Sequence, residues 1–556
     1  MSAESPPIGT GDAALVSSTP VVRFVRWRLY FGGVFLAVPA LIWIWFLHEA
    51  QRQDRHIQTF VVFVLVYLWS VLWTLLLSRL DWRKRLACLG VMIGCVAVFF
   101  GGFRLREVTG DFLPIFEFRF SGARRLKADS NRSLPAIASR QDAGRDADAA
   151  ANNPGAQGDF PQFLGPNRDG TTGGTLLERD WVAHPPRERW RIQVGSAWSG
   201  FAVTKDRAIT LEQRGGDEWV RCYSLVDGSL IWGHSYPASH ASVLGGEGPR
   251  TTPSIKDGLV YSVGATGILS CVRLDNGALV WTKDLLHEFG GGVPSWGMSG
   301  SPLVVDGAVI VCAGGTGGKA TVALGSRLGE TLWASGDYGI GYSSPMQALL
   351  LGEAQVVVFH ASGIAGHDLV GGQQRWNHPW PTGHPHVAMP LLISTNRLMV
   401  SSGYGYGTEL IEVSSGEGKA QSVERVWKSN RLKAKFANPV RKGNNVYGLD
   451  DGILACLDLN SGELRWKDGR YGHGQTLLVG EVLLVMAESG DLLLVDPVPE
   501  GLRELGRVPV MKQKTWNPPA FASPLALVRN HREAVCLELA VVRNGKPQKA
   551  VRKGTE

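Results

Sequence analysis

Cys222-Tyr-Ser-Leu-Val-Asp-Gly-Ser-Leu-Ile-Trp232 returns 49 residues later as Cys271-Val-Arg-Leu-Asp-Asn-Gly-Ala-Leu-Val-Trp281 and again as Cys456-Leu-Asp-Leu-Asn-Ser-Gly-Glu-Leu-Arg-Trp466. Each copy is an alternating strand, a turn at Asp-Gly, Asn-Gly or Ser-Gly, and a second strand ending in Trp, which is the signature of a hairpin. The closing tryptophans are Trp190, Trp232, Trp281, Trp333, Trp376, Trp427 and Trp466, spaced 39 to 52 residues apart. An eighth copy, starting at Leu492, reaches Val508 without a Trp. Upstream of the hairpins, Pro253, Pro302, Pro345, Pro390, Pro439 and Pro524 each open an apolar stretch. Proline at the first position of a strand forfeits no ladder hydrogen bond. Turns such as Asp257-Gly258 and Asp306-Gly307 then lead into another strand. Four short strands per repeat describe a propeller blade. Phe521 to Leu539 supplies three strands and stops, whereas Arg189 to Val194, around Trp190, is one strand without a preceding three. The expected fold is all-β, an eight-bladed β-propeller over residues 159–541, with the N-terminal strand completing the C-terminal blade and removing the exposed edges.

Composition agrees and narrows the possibilities. The 556 residues include 69 Gly and 19 Trp, with 44% hydrophobic and 19% charged residues. Glycine is poor in helix interiors and favoured in tight turns. Wholesale disorder is excluded by the apolar content, and a disulfide scaffold by only seven scattered Cys. Cys222, Cys271, Cys456 and Cys536 share one repeat position and read as small buried hydrophobes; Cys88 and Cys95 share one helix face.

Residues 29–47, 59–77 and 86–103 are almost free of charge and near the length that crosses a hydrocarbon core. They predict three transmembrane helices within residues 29–104, ahead of the propeller. Two further spans and the lack of a small-residue cleavage site favour an anchor over a signal peptide. Arg23, Arg26 and Arg28 before the first span, and Arg79, Arg83, Lys84 and Arg85 between the second and third, outweigh Arg52 and Arg55. This bias puts residues 1–28 in the cytoplasm and the propeller on the far side. For a bacterial chain that means a multi-pass inner-membrane protein with a periplasmic propeller. Residues 105–158 read as a juxtamembrane segment and disordered tether, with Asp111 to Phe120 at the membrane surface, and 542–556 as a basic tail. The net charge of +7 is spread over loops, tether and tail, so nucleic acid is not an expected partner.

The repeats resemble the pyrroloquinoline-quinone (PQQ) repeat propellers, and among them the BamB-like proteins. Asp159-Phe-Pro-Gln-Phe-Leu-Gly-Pro-Asn-Arg-Asp-Gly170 is similar to the leader of the large bacterial BamB-like members. The resemblance implies a binding or scaffolding module in the bacterial cell envelope, with envelope proteins or peptides at the propeller loops and no cofactor. The alternative it implies is a PQQ-dependent quinoprotein dehydrogenase with Ca²⁺, oxidising an alcohol or sugar and passing electrons to quinone. Against that stand the missing vicinal Cys pair, the missing long insertions, and the lack of a carboxylate or amide cluster beyond the turns. The family's outer-membrane lipoprotein carries a lipobox, which is not visible here.

The binding candidates follow from repeat register. Lys433, Lys435 and Phe436 precede the Pro439 strand, and Tyr471, His473, Trp516 and Asn517 lie on corresponding loops. An aromatic and basic mouth of this kind suits a peptide, a glycan or an envelope protein. Tyr404 and Tyr406 flank Gly405, where a ligand could approach, although a bend is expected at Gly405 and Gly407. Gly314 to Lys319 is similar to a P-loop but has Ala313 and Ala320 where Gly and Ser/Thr are required, and reads as a plain glycine loop. His378, His384 and His386 read as an exposed loop. No metal site is expected, and no catalytic residue is identified.

Overall fold

The computed structural model describes residues 26–48, 50–120, 158–242, 244–416, 421–543 and 546–547. The readings made for residues 1–25, for the tether 121–157 and for most of the basic tail lie outside them. The chain forms two compact units, residues 1–106 with 115–121, and residues 107–114 with 122–556.

The first unit holds three helical segments long and apolar enough to cross a membrane, Trp27–Leu47, Arg52–Leu77 and Trp82–Gly102. The second starts seven residues before the span read from composition, because Arg52, Asp54, Arg55 and His56 extend the helix beyond its charge-free part. Pro39 lacks an N–H and crowds the carbonyl four residues back. The first segment accordingly breaks between Trp27–Phe35 and Ala37–Ile42. Tryptophans fasten these helices to one another. Trp73 Nε1 donates to Arg26 O at 3.2 Å, Trp69 Nε1 to Tyr30 O at 3.2 Å, and Trp45 Nε1 to Thr59 Oγ1 at 3.0 Å. Phe103–Val108 pairs with Pro114–Phe118, and residues 107–114, around the turn of this hairpin, pack with the second unit.

The second unit is an eight-bladed β-propeller of antiparallel blades. Blade 1 is Ala202–Thr204, Arg207–Arg214, Asp217–Ser224 and Leu230–Pro237. Blades 2 to 6 begin at Ser254, Leu303, Met346, Leu391 and Val440. Blade 7 is Gln475–Val479, Val482–Met486, Asp491–Asp496 and Arg503–Pro509. Blade 8 is Ala520–Ala522, Leu525–Arg529 and Glu533–Glu538, completed by Arg187–Gln193. First strands touch between blades 1 and 2, 2 and 3, 3 and 4, 6 and 7, and 8 and 1, so they surround the axis. Pro253, Pro302, Pro345, Pro390 and Pro439 immediately precede first strands, as the sequence suggested, but Pro524 does not. It sits in the turn between the first two strands of blade 8, and Pro519 takes the opening place. Asp257 and Gly258 have φ of 50° and 74°, and Asp306 and Gly307 47° and 77°. Such left-handed pairs match the twist of a two-residue hairpin.

One joint recurs between blades. Cys222, Cys271, Cys456 and Cys536 face Trp232, Trp281, Trp466 and Trp190 across the third and fourth strands, each just before a bulge. Ala323, Gly366 and Leu410 face Trp333, Trp376 and Trp427 in the same way. The ring then reaches into the hairpin turn of the next blade. Trp190, Trp232, Trp281, Trp333, Trp427 and Trp466 donate Nε1–H to Leu225, Leu274, Ser326, Leu369, Leu459 and Val498 O at 2.9–3.1 Å. Each such bond contributes about 1 kcal/mol net. Gly228, Gly277, Gly329, Gly372 and Gly462, all left-handed, pass so close over the preceding blade's ring that a Cβ would lie 2.4–2.9 Å from it. The paired thiols are buried and free; burial pushes Cys222, Cys271 and Cys536 up to about 12 and Cys456 up to about 11, leaving them inert.

Blade 7 departs from this pattern. Its closing position is Gly506, opposite Leu494, not Val508. The next hairpin, in blade 8, is split between two distant parts of the chain, so no turn exists to receive a Trp from blade 7. Buried Trp181, on the N-terminal approach to the ring, packs there instead, with its Cβ 2.6 Å from where a Gly506 Cβ would stand.

Two buried arginines tie the ring together. Arg529 of blade 8 donates to Thr210 Oγ1 at 2.7 Å, to Leu211 O at 2.9 Å and to Gly195 O at 2.9 Å, bridging to blade 1. Burial pushes the nearby Glu212 carboxyl up, but Arg214 and Arg529, the Tyr223 hydroxyl and Arg221 hold it below its ordinary value. Arg168 belongs to the leader, which threads the channel past several first strands. Phe160 bridges Val203 of blade 1, the Pro161 carbonyl accepts from Ile255 N of blade 2, and Thr171–Thr172 lies parallel to Leu478 and Val479 of blade 7. Between them, Arg168 donates to Ser301, Pro302 and Pro345 carbonyls at 3.0–3.1 Å, at the entries of blades 3 and 4.

Candidate functional site

Every blade is entered through a loop that ends at its first strand, and these loops converge on the axis. Trp198, Arg250, Trp296, Tyr342, Val387, Lys435, Gln475 and Trp516, from the entries of blades 1 to 8 in order, line one cavity of about 140 Å³. Phe163 of the leader, Tyr404, Phe436 and Asn438 also face it, together with Thr109, Gly110 and Phe112. Eight aromatic side chains stand in the wall. Trp198 and Trp516 have centroids 5.0 Å apart, Phe436 and Trp516 4.9 Å, and Trp296 and Tyr342 6.1 Å.

The charged residues of the lining are cations. Lys435 Nζ lies 4.9 Å from the Tyr404 centroid and 5.8 Å from that of Phe436. Behind the wall, buried Lys514 sits 3.9 Å from the Trp516 centroid and 4.9 Å from that of Trp198. Cation–π contacts of this kind gain strength when desolvated. Arg250 hydrogen-bonds the carbonyls of Trp296 and Gly246, and burial pulls its guanidinium down to about 10. Tyr404, left-handed at φ 59°, has a buried hydroxyl with no hydrogen-bond partner among the described residues, and burial raises its pKa well above the ordinary phenol. Glu488, a carboxylate that bonds the Trp516 side chain, is already engaged. Its oxygens accept Trp516 Nε1 at 2.9 Å, His473 N at 3.0 Å and Gly110 N at 2.7 Å.

The last of these contacts shows that the mouth holds a peptide, residues 107–114. Lys514 meets Glu107 at 3.0 Å and donates to Val108 O at 2.9 Å. Lys435 donates to Gly110 O at 2.7 Å. His473 Nε2 lies 3.1 Å from Asp111 Oδ1, and Arg470 lies 3.8 Å from the other oxygen. Burial pushes the Asp111 carboxyl up, but the His473 hydrogen bond and charge, with Arg470 and Lys435, hold it below its ordinary value. Asp111 to Pro114 therefore belong to the propeller unit, and Ile115 to Phe120 to the helical one; charge on Asp111 and Glu107 is matched by buried propeller cations.

Of the residues singled out in the sequence, Tyr404, Lys435, Phe436 and Trp516 line the cavity and His473 holds the peptide. The others are used structurally. Lys433 pairs with Asp450 and Asp451 at 3.0 and 3.4 Å. Tyr471 donates to Glu504 at 3.1 Å, and Asn517 Nδ2 donates to the Ala197 and Ser199 carbonyls. Tyr406 packs on His384 and the core of blades 4 and 5. Gly405 and Gly407, at φ 90° and 88°, form the expected bend. The histidine cluster is not an exposed loop. His378 reaches Glu409 at 3.1 Å, His384 stacks on Tyr404, and His386 is buried between the His360 and Pro381 carbonyls. Trp198, Arg250, Trp296 and Tyr342 were missed, although Trp198, Arg250 and Tyr342 stand four residues before a first strand, as Trp516 does. Among the described residues no group of three or more His, Cys, Asp or Glu comes together as a metal site.

Residues 216–468 match the family profile described as outer membrane protein assembly factor BamB. Among solved structures, BamB from Moraxella catarrhalis is 16% identical, with 63% of this chain and 97% of that chain covered and a TM-score of 0.45. Quinohemoprotein alcohol dehydrogenase from Comamonas testosteroni is 13% identical, with 73% and 84% covered and a TM-score of 0.50. At such identity the likeness speaks for the fold alone. No curated protein sequence matches the chain.

Proposed function

Taking as premise that the propeller is a PQQ-repeat propeller of BamB-like type, we propose that this chain is a non-catalytic binding module of the bacterial cell envelope. Three helices anchor it in the inner membrane, and the propeller works on the periplasmic side. The observation that carries this reading is the axial mouth, where eight entry loops build an aromatic, cation-lined pocket already holding a peptide by its main chain and its carboxylates. Such a mouth recognises protein segments. The orientation rests on the Arg and Lys bias of the short loops.

The second reading, PQQ-dependent oxidation, needs a calcium ion to polarise the quinone and a carboxylate to take the substrate proton. The donor set of the cavity does not fit the ion. Its charged residues are Arg250 and Lys435, and the Glu488 oxygens are spent on three N–H donors. Calcium requires six to eight oxygens, several of them anionic.

Native mass spectrometry of the protein purified from its own membranes tests both readings. The expected result is protein partners bound in proportion, and fewer of them with Trp516→Ala. Bound PQQ together with dye reduction by an alcohol or sugar would overturn the binding-module reading.

A further inference from the structure

Residues 107–114 contact the mouth through features that together amount to a recognition pattern. Glu107 and Asp111 place two carboxylates four residues apart, one on Lys514, whose side chain is 1% exposed, and one on His473, at 3%. Between them the backbone is read directly. The carbonyls of Val108 and Gly110 accept from Lys514 and Lys435, and the Gly110 N–H donates to Glu488. Residue 110 must be glycine, because a Cβ there would lie 2.1 Å from His473 Cδ2 and 2.6 Å from Cγ. Phe112 turns left-handed at φ 62° and brings its ring to 5.7 Å from Lys435 Nζ. The propeller side is complementary throughout, with two buried lysines and a histidine against two acids, and the Lys435 ammonium against the Phe112 ring.

Main-chain hydrogen bonds supply affinity that any extended segment can use, whereas the paired acids, the glycine and the aromatic ring supply selection. Nothing in these contacts requires the segment to be part of this chain. We propose that residues 107–114 are an internal ligand, and that the mouth takes in their place a turn of another protein with the pattern acid-x-x-Gly-acid-aromatic. This rests on the binding-module reading and names its partner class. The internal copy is tethered, so its effective concentration is on the order of millimolar, and a partner must outcompete it. The native chain is thereby self-inhibited toward weak ligands and opens only to a segment presented at high local concentration or with further contacts.

The test uses the full chain in detergent, with residues 107–112 replaced by a Gly/Ser stretch of equal length. The probe is a fluorescein-labelled peptide of the sequence from Leu105 to Phe116, read by fluorescence anisotropy, with melting and near-ultraviolet circular dichroism as checks of folding. The emptied chain is expected to bind the peptide at least tenfold more tightly than the native chain. Peptides carrying E107Q with D111N, or G110A, are expected to lose at least tenfold. Failure of the folded, emptied chain to bind overturns the proposal, as does equal binding of the E107Q/D111N peptide. Should the replacement unfold the protein, the E107Q/D111N full chain, unaltered in length, must bind the wild-type peptide better than the native chain does; unchanged binding there also overturns it. A negative peptide result with partners still bound in native mass spectrometry leaves the binding-module reading standing, and bound PQQ with turnover removes that reading instead.

Discussion

Gly277 and Gly258 offer a controlled measure of the joint between blades. Both sit in blade 2, both are left-handed, at φ 72° and 74°, and alanine in either place meets the same backbone penalty of roughly 1–2 kcal/mol. Their surroundings differ. A Cβ on Gly258 has nothing within 4 Å, whereas one on Gly277 would lie 2.5 Å from Trp232 Cε3 and 2.8 Å from Cδ2. That ring cannot retreat cheaply, since it is 5% exposed and its Nε1 is bonded to Leu274 O at 2.9 Å. Overpacking of this kind costs about 1–3 kcal/mol, and loss of the hydrogen bond about 1 more. G277A should therefore be less stable than G258A by about 2–4 kcal/mol. Urea unfolding of the full chain in detergent, followed by tryptophan fluorescence, measures the difference. In a W232L background the extra cost of G277A should disappear, as a double-mutant cycle requires when the two groups touch. Equal stability of G277A and G258A within about 0.5 kcal/mol would refute the idea that the tryptophan joint holds neighbouring blades together.

Further expectations concern ring closure, the channel and the mouth. R529M leaves the Leu211 and Gly195 carbonyls without their buried donor and removes one of the cations facing the buried Glu212 carboxylate, which keeps Arg214 and Tyr223; it should cost about 3–5 kcal/mol in thermal unfolding, with R529K recovering only part. R168M should raise amide exchange through residues 159–172 while leaving blades 5 and 6 protected, because its three carbonyl bonds hold the leader in the channel. The Asp111 carboxyl is lowered in the docked state, so its contribution is complete above the ordinary carboxylate value near 4 and is lost as pH falls through the docked value. The melting difference between D111N and the native chain should thus be present at pH 5 and shrink below about pH 4; a difference that persists unchanged at pH 3 would count against the Asp111–His473 contact.

What could be read beforehand was what repeats. The Trp-closed hairpins and the stray strand around Trp190 fix blade number and closure, because a periodic pattern reports a periodic contact. Pro524 misled because a proline in the first turn of a blade resembles one just ahead of it when only its spacing to the next hairpin is counted. Gly506 was illegible for the opposite reason. The absence of a Trp there follows from a neighbour, the split hairpin of blade 8, that lies more than 300 residues away in the chain. The mouth was half legible. Lys435, Phe436, His473 and Trp516 came from register, and the place of Trp516, four residues ahead of a first strand, is also that of Trp198, Arg250 and Tyr342, whereas Trp296 lies seven ahead. The peptide in the mouth carried no such signal, since Glu107 to Phe112 look like any short polar and apolar mixture after a hydrophobic span.

Blade 8 also sets a clock. Arg187–Gln193 is the first of the blade strands to be synthesised, and the strand it pairs with, Glu533–Glu538, is the last. At ~5–20 residues per second, roughly 20–70 seconds separate the two during translation. For that interval every blade already made belongs to an open arc with a bare strand at each end, the geometry most prone to pairing with a second chain. A circular permutant that carries Arg187–Gln193 after Leu539 would make the closing hairpin local and shorten the wait without altering one native contact. Its yield relative to the natural order would show how much of this protein's risk of misassembly lies in the order of its strands and how much in their chemistry.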